Sequence, residues 1–117
     1  MNTAIALAAL VSVTFLALGA AKILALTPMR ALAAHAGFSV EAYRGIGTLE
    51  VAGALGVALG PILPPLGVLA GAGLLILLTG ALVTHLRNGD GVQKYAPAVI
   101  CALLVVGYLT ALLGATR

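Results

Sequence analysis

Residues 3–26, TAIALAALVSVTFLALGAAKILAL, decide the fold. The stretch is an apolar run in which Lys22, near its end, is the single charged side chain. About 20 such residues cross the hydrocarbon core of a bilayer as an α-helix. No basic residue stands ahead of the run, so it reads as a retained helix rather than a cleaved signal segment. Working outward, similar apolar runs follow at residues 40–60, 66–86 and 95–114. The expectation is one domain, residues 1–117: an all-α integral membrane four-helix bundle.

Composition carries the same message. Apolar residues make up 62% of the chain and charged residues 8%. A water-soluble domain carries roughly 25% charge, and one this small could not cover so much apolar surface. The formal charge of +3 is too small to point to nucleic acid. Cys101 is the single cysteine, which excludes an internal disulfide, a CxxC pair or a thiolate metal site.

The connections are read from their breakers. Thr27-Pro28 looks like a cap followed by Pro at the first helical position. Residues 29–36 mix Arg30 and His35 with small apolar residues, and Gly37 stops them, which predicts a short interfacial helix. Ser39 should start the second span, and Pro61, Pro64 and Pro65 make a tight uncharged turn after it. Residues 87–91, Arg-Asn-Gly-Asp-Gly, form a polar turn, and Pro97 fits the first turn of the fourth span. Small residues recur at Ala52, Gly56, Gly60, Gly67 and Gly71, a spacing that lets helices approach closely in lipid.

With four spans, loops one and three share a side, and they hold Arg30, Arg44, Arg87 and Lys94, whereas the opposite side holds Arg117. Positive residues favour the cytoplasm. The expected location is therefore the inner (plasma) membrane, with loops one and three cytoplasmic and both termini outside. Three spans then place Lys22, Glu50 and His85 at similar depth near that side. A charged residue at mid-helix costs about 2.5–3.5 kcal/mol on insertion scales. Protonating an ordinary glutamate at neutral pH costs about as much. Glu50 therefore needs a partner from another helix, with Lys22 and His85 the candidates. Glu50 and His85 are the candidate catalytic residues, as proton donor or acceptor. Lys22, Arg44, Arg87 and Tyr95 are candidate ligand-binding residues, although Lys22 also suits snorkelling and the arginines suit topology anchors. Asp90 reads as turn chemistry and His35 as an interfacial side chain. No motif for a cofactor or metal is present, so neither is expected.

Several segments resemble the DoxX-like family of small bacterial membrane proteins. They are Gly19-Ala-Ala-Lys22, Arg44-Gly-Ile-Gly-Thr-Leu-Glu50, Val51-Ala-Gly-Ala-Leu-Gly56 and Gly80-Ala-Leu-Val-Thr-His85-Leu-Arg87-Asn-Gly-Asp90, with Pro97 after them. Each is weak alone, and their order on four helices carries the resemblance. It implies a four-helix membrane fold, and it draws Lys22, Arg44, Glu50 and His85 together independently of depth. It also implies relatives that serve quinone-linked oxidoreductases or assist assembly, so it speaks to fold more than to activity.

The first functional expectation is a lipophilic small molecule, quinone- or isoprenoid-like, held in an intramembrane pocket whose polar layer is Glu, His and Arg. One alternative is a cofactor-independent acid–base enzyme, of isomerase, epoxide-opening or cyclase type, with Glu50 as the proton carrier. Another is a scaffold or assembly subunit of a membrane oxidoreductase complex. The bilayer is the expected partner, joined by a homo-oligomer or a membrane-complex partner.

Overall fold

The computed structural model describes residues 2–115, and its first helix opens on a side-chain cap: Asn2 Oδ1 accepts the Ile5 N–H at 2.8 Å. That satisfies one of the free donors of a helix start. Five helices follow in order: α1 Thr3–Ile23, α2 Thr27–Ala36, α3 Val40–Leu59, α4 Pro64–Arg87 and α5 Val92–Ala115. The described residues contain no strand.

Three turns at one end share a single design. After α1 the Leu26 N–H returns to the Ala21 carbonyl and the Ala25 N–H to Lys22, with Ala25 left-handed at φ 51°. After α2 the Phe38 N–H returns to Ala33, with Gly37 at φ 83°. After α4 the Asp90 N–H returns to the His85 carbonyl at 2.9 Å, with Gly89 at φ 70°. Each is a Schellman closure, in which one left-handed residue lets the chain satisfy its last carbonyls. The first explains why α1 stops at Ile23 rather than at 26, even though the sequence stays apolar. Arg30 Nε donates to the Ala25 carbonyl at 2.8 Å and pins this corner.

Other bounds shift for similar local reasons. Thr27 is the first helical residue of α2, not its cap, which is Leu26 without a side-chain bond. Ser39 does cap α3, its hydroxyl accepting the Ala42 N–H at 3.0 Å. α4 begins at Pro64 rather than 66, because Pro at a first-turn position forfeits no helical hydrogen bond. Pro97 is a correction: α5 starts at Val92, so Pro97 lies inside the helix and has no N–H to offer the Gln93 carbonyl.

The long helices pack in the ring order α1, α3, α4, α5 and back to α1, and the short α2 rests on α1 and α3. At the end holding residues 60–67 the packing is backbone to backbone. A Cβ on Gly67 would lie 2.6 Å from the Gly60 Cα, and one on Gly56 would lie 2.6 Å from the Ala70 Cβ. The small residues of α3 and α4 thus serve close approach, as their spacing suggests. Tyr108 fills the space beside them and is fully buried, donating its hydroxyl to the Val57 carbonyl at 2.9 Å. Pro61, four residues after Val57, has no N–H to give that carbonyl. Val11, Phe15, Val57, Leu74, Val105 and Leu112 complete the buried core.

The outward surface is apolar: Val13, Leu69, Ile76 and Leu103 are among many exposed aliphatic side chains. Helices α1, α4 and α5 are long and apolar enough to cross a membrane. α3 has 20 residues but carries Glu41, Arg44 and Glu50 and does not reach the same apolarity. The molecule is a membrane protein in which one of the four long helices is set apart by its charges. Arg117, the basic residue expected on the far side, lies outside the described residues.

Candidate functional site

α1 and α3 cross where Gly19 meets Gly47. A Cβ on Gly19 would stand 2.7 Å from the Gly47 carbonyl, and a Cβ on Gly47 would stand 2.7 Å from the Gly19 carbonyl. One helical turn onward from each glycine, the two helices present Lys22 and Glu50 to each other. Lys22 Nζ donates to Glu50 Oε1 at 2.5 Å, with the side chains 13% and 6% exposed. The same ammonium sits 5.1 Å from the Tyr43 ring centroid, and Phe38 stacks on that ring. An oily setting charges heavily for a lone carboxylate, and the ammonium with its aromatic neighbour supplies the missing compensation. Of the two partners considered for Glu50, Lys22 fills the role and His85 does not.

His85 is engaged elsewhere. Its Nδ1 is 2.7 Å from Asp90 Oδ2, while His35 Nε2 on α2 is 2.8 Å from Asp90 Oδ1. Asn88 Nδ2 also donates to the His35 carbonyl at 3.1 Å. The closure after α4 produces this arrangement, because it folds Asp90 back over the last turn and onto His85. The hydrogen bond from His85, opposed by partial burial and aided by His35, holds the Asp90 carboxyl below its ordinary range.

Between the ion pair and this cluster the helices part around a cavity of about 540 Å³. Lys22, Glu50 and His85 line it, together with Tyr43, Thr84, Gln93, Lys94 and Cys101. Its remaining wall is aliphatic or aromatic, including Phe15, Leu18, Leu32, Ile76 and Leu77. Ile76 and Phe38 are also exposed on the outer surface, so the cavity reaches the face that meets lipid. The volume lies within the roughly 300–1,000 Å³ of small-molecule sites.

The other candidates stand apart. Arg44 and Arg87 are exposed and Tyr95 is half-buried, and none of the three lines the cavity. Helical phase accounts for this: Tyr95 is turned about 100° from Lys94, and Arg87 about 200° from His85. Tyr43, absent from the sequence-based candidates, lies seven residues before Glu50 and therefore on its face, a signal open to reading. Lys94, Thr84 and Cys101 gave no such signal. Among the described residues no group of three or more His, Cys, Asp or Glu is arranged to hold a metal ion.

A model of the DoxX-like family matches residues 6–107. No curated protein and no solved structure matches the chain. The matched segment runs from α1 well into α5 and takes in the ion pair, the cavity and the His85–Asp90 turn. By that match over most of its length, the chain belongs to the DoxX-like family.

Proposed function

We propose that this protein binds a lipophilic small molecule, quinone- or isoprenoid-like, in the cavity between its helices. One observation carries the reading: a space of about 540 Å³ that reaches the lipid-facing surface has a charged pair at one wall and aliphatic side chains at most others. Such a space suits a molecule with an oily body and a polar head. On this reading α3 is a fourth span, made tolerable in lipid by the Lys22 contact. Residues Arg30, Arg44, Arg87 and Lys94 then mark the cytoplasmic side of the inner membrane.

Titrating purified protein with isoprenoid and quinone probes tests the reading. Saturable binding that weakens in Glu50→Gln is the expected result. Linear partitioning identical in the wild type and the variant would mean the probes dissolve in detergent or lipid and the cavity holds nothing.

A further inference from the structure

The proposed ligand site has a feature that narrows what its occupant must carry. A carboxylate only accepts hydrogen bonds. In a neutral His85 ring, the contact of Nδ1 with Asp90 Oδ2 at 2.7 Å therefore places the proton on Nδ1. Nε2 is left with a lone pair. No hydrogen bond within the described residues occupies that nitrogen, and the ring lines the cavity. The second oxygen of Asp90 is held by His35 Nε2 at 2.8 Å, so the carboxylate is fixed from both sides and cannot rotate away from His85 without losing a partner. Beside it, the Thr84 hydroxyl donates to the Gly80 carbonyl at 2.8 Å, so its oxygen too is left as an acceptor. On α4 this wall of the cavity thus offers acceptors, while the donors that line the cavity stand on other helices: Gln93 and Lys94 on α5, and on α1 the Lys22 cation already engaged by Glu50.

We propose that Asp90 is a positioning residue that holds His85 as a fixed hydrogen-bond acceptor, and that the cavity therefore selects lipophilic molecules bearing a hydroxyl group. This rests on the reading of the cavity as a ligand site. The occupant is a long-chain alcohol or phenol whose O–H meets His85 Nε2 and whose apolar body lies along Leu18, Ile76 and Leu77. An ether of the same shape offers no proton and leaves the acceptor buried and unsatisfied, the costly side of a hydrogen-bond mismatch.

The full chain in lipid nanodiscs, titrated with para-dodecylphenol and with its methyl ether in mildly alkaline buffer, tests this. The phenol binds roughly 10-fold tighter than the ether in the wild type, the scale of one buried hydrogen bond. Asp90→Asn removes most of that preference. His35→Leu, which removes the α2 contact with Asp90 but spares the His85 contact, retains it, and this separates positioning of His85 from mere attachment of α2. NMR of the ring nitrogens in the wild type, which needs no variant, shows His85 protonated on Nδ1. Equal affinity for both probes, an Nε2-protonated His85, or a preference untouched by Asp90→Asn overturns the assignment. Equal binding of the two probes leaves the lipophilic site standing, whereas failure of both to bind removes both readings.

Discussion

At the end of the bundle holding residues 60–67 the helices touch backbone to backbone, while at the end holding residues 85–94 they part around about 540 Å³ of space. The first end is made of Gly, Ala and one buried tyrosine, and its interior closes on itself. The second is made of paired charges, two histidines and longer side chains, and it leaves room. The difference teaches that dense packing and an accessible interior coexist in a small membrane bundle when the small residues are concentrated at one end. α1 and α3 bridge the two regimes. Their contact at Gly19 and Gly47 is as tight as the far end, yet one turn later it delivers the ion pair to the cavity wall.

The largest effect should come from breaking the open end at its charges. Lys22→Met leaves a buried carboxylate alone and should destabilise the protein by about 3 kcal/mol or more, whereas Lys22→Met with Glu50→Gln should recover most of the loss. Denaturant titration in detergent measures both. A double variant no better than the single one would show that the two side chains act separately.

Next in size is an attack on the close-packed end. Gly67→Val drives its side chain into the Gly60 backbone and should cost about 1–3 kcal/mol. Gly73→Ala, where a Cβ meets nothing within 4 Å, should instead be neutral or stabilise by up to about 1 kcal/mol. Equal melting temperatures for the two variants would erase the contrast between tight and loose positions. Tyr108→Phe is milder. It removes the hydroxyl from the Val57 carbonyl while keeping the ring, at a cost of about 1 kcal/mol, read from the same unfolding curves.

The smallest effect is one of pH, and it belongs to the open end. Asp90 is held below its ordinary range chiefly by the His85 hydrogen bond, so its folded value lies under its unfolded one. Its contribution to stability is then complete above the ordinary aspartate value, about 3.9, and fades as pH falls through the depressed folded value. The stability gap between wild type and Asp90→Asn should narrow below about pH 4. A gap that stays constant down to the acid limit would show that the carboxylate charge is irrelevant to the fold.

The need of Glu50 for a partner was legible in the sequence, with Lys22 and His85 both left open, because a carboxylate in an apolar span creates a demand that few residues can meet. Helix existence was legible for the same reason of scale, since long apolar runs leave little choice. What escaped was set by local geometry that composition does not encode. Ala25 takes a left-handed conformation that ends α1 within an apolar stretch, and nothing in its identity announces this. Pro97 sits six residues into α5, where the surface end of the helix tolerates a missing donor. Arg87 and Tyr95 were grouped with the site by depth, and Arg44 by depth and by the family resemblance, and helical phase turns all three away from it. The His35–Asp90–His85 cluster joins residues 55 positions apart through a turn whose backbone closure, not its composition, aims the carboxylate.

The Lys22–Glu50 contact also bears on how the protein is made. Synthesis runs from the N-terminus, so α1 is in place before α3 emerges. α3 is the one long helix not apolar enough to enter lipid on composition alone. On the four-span reading, α1 then has its lysine already in place as the partner that the Glu50 carboxylate of α3 needs in lipid. On that reading Lys22→Met should lower the yield of inserted protein as well as the stability of what is recovered.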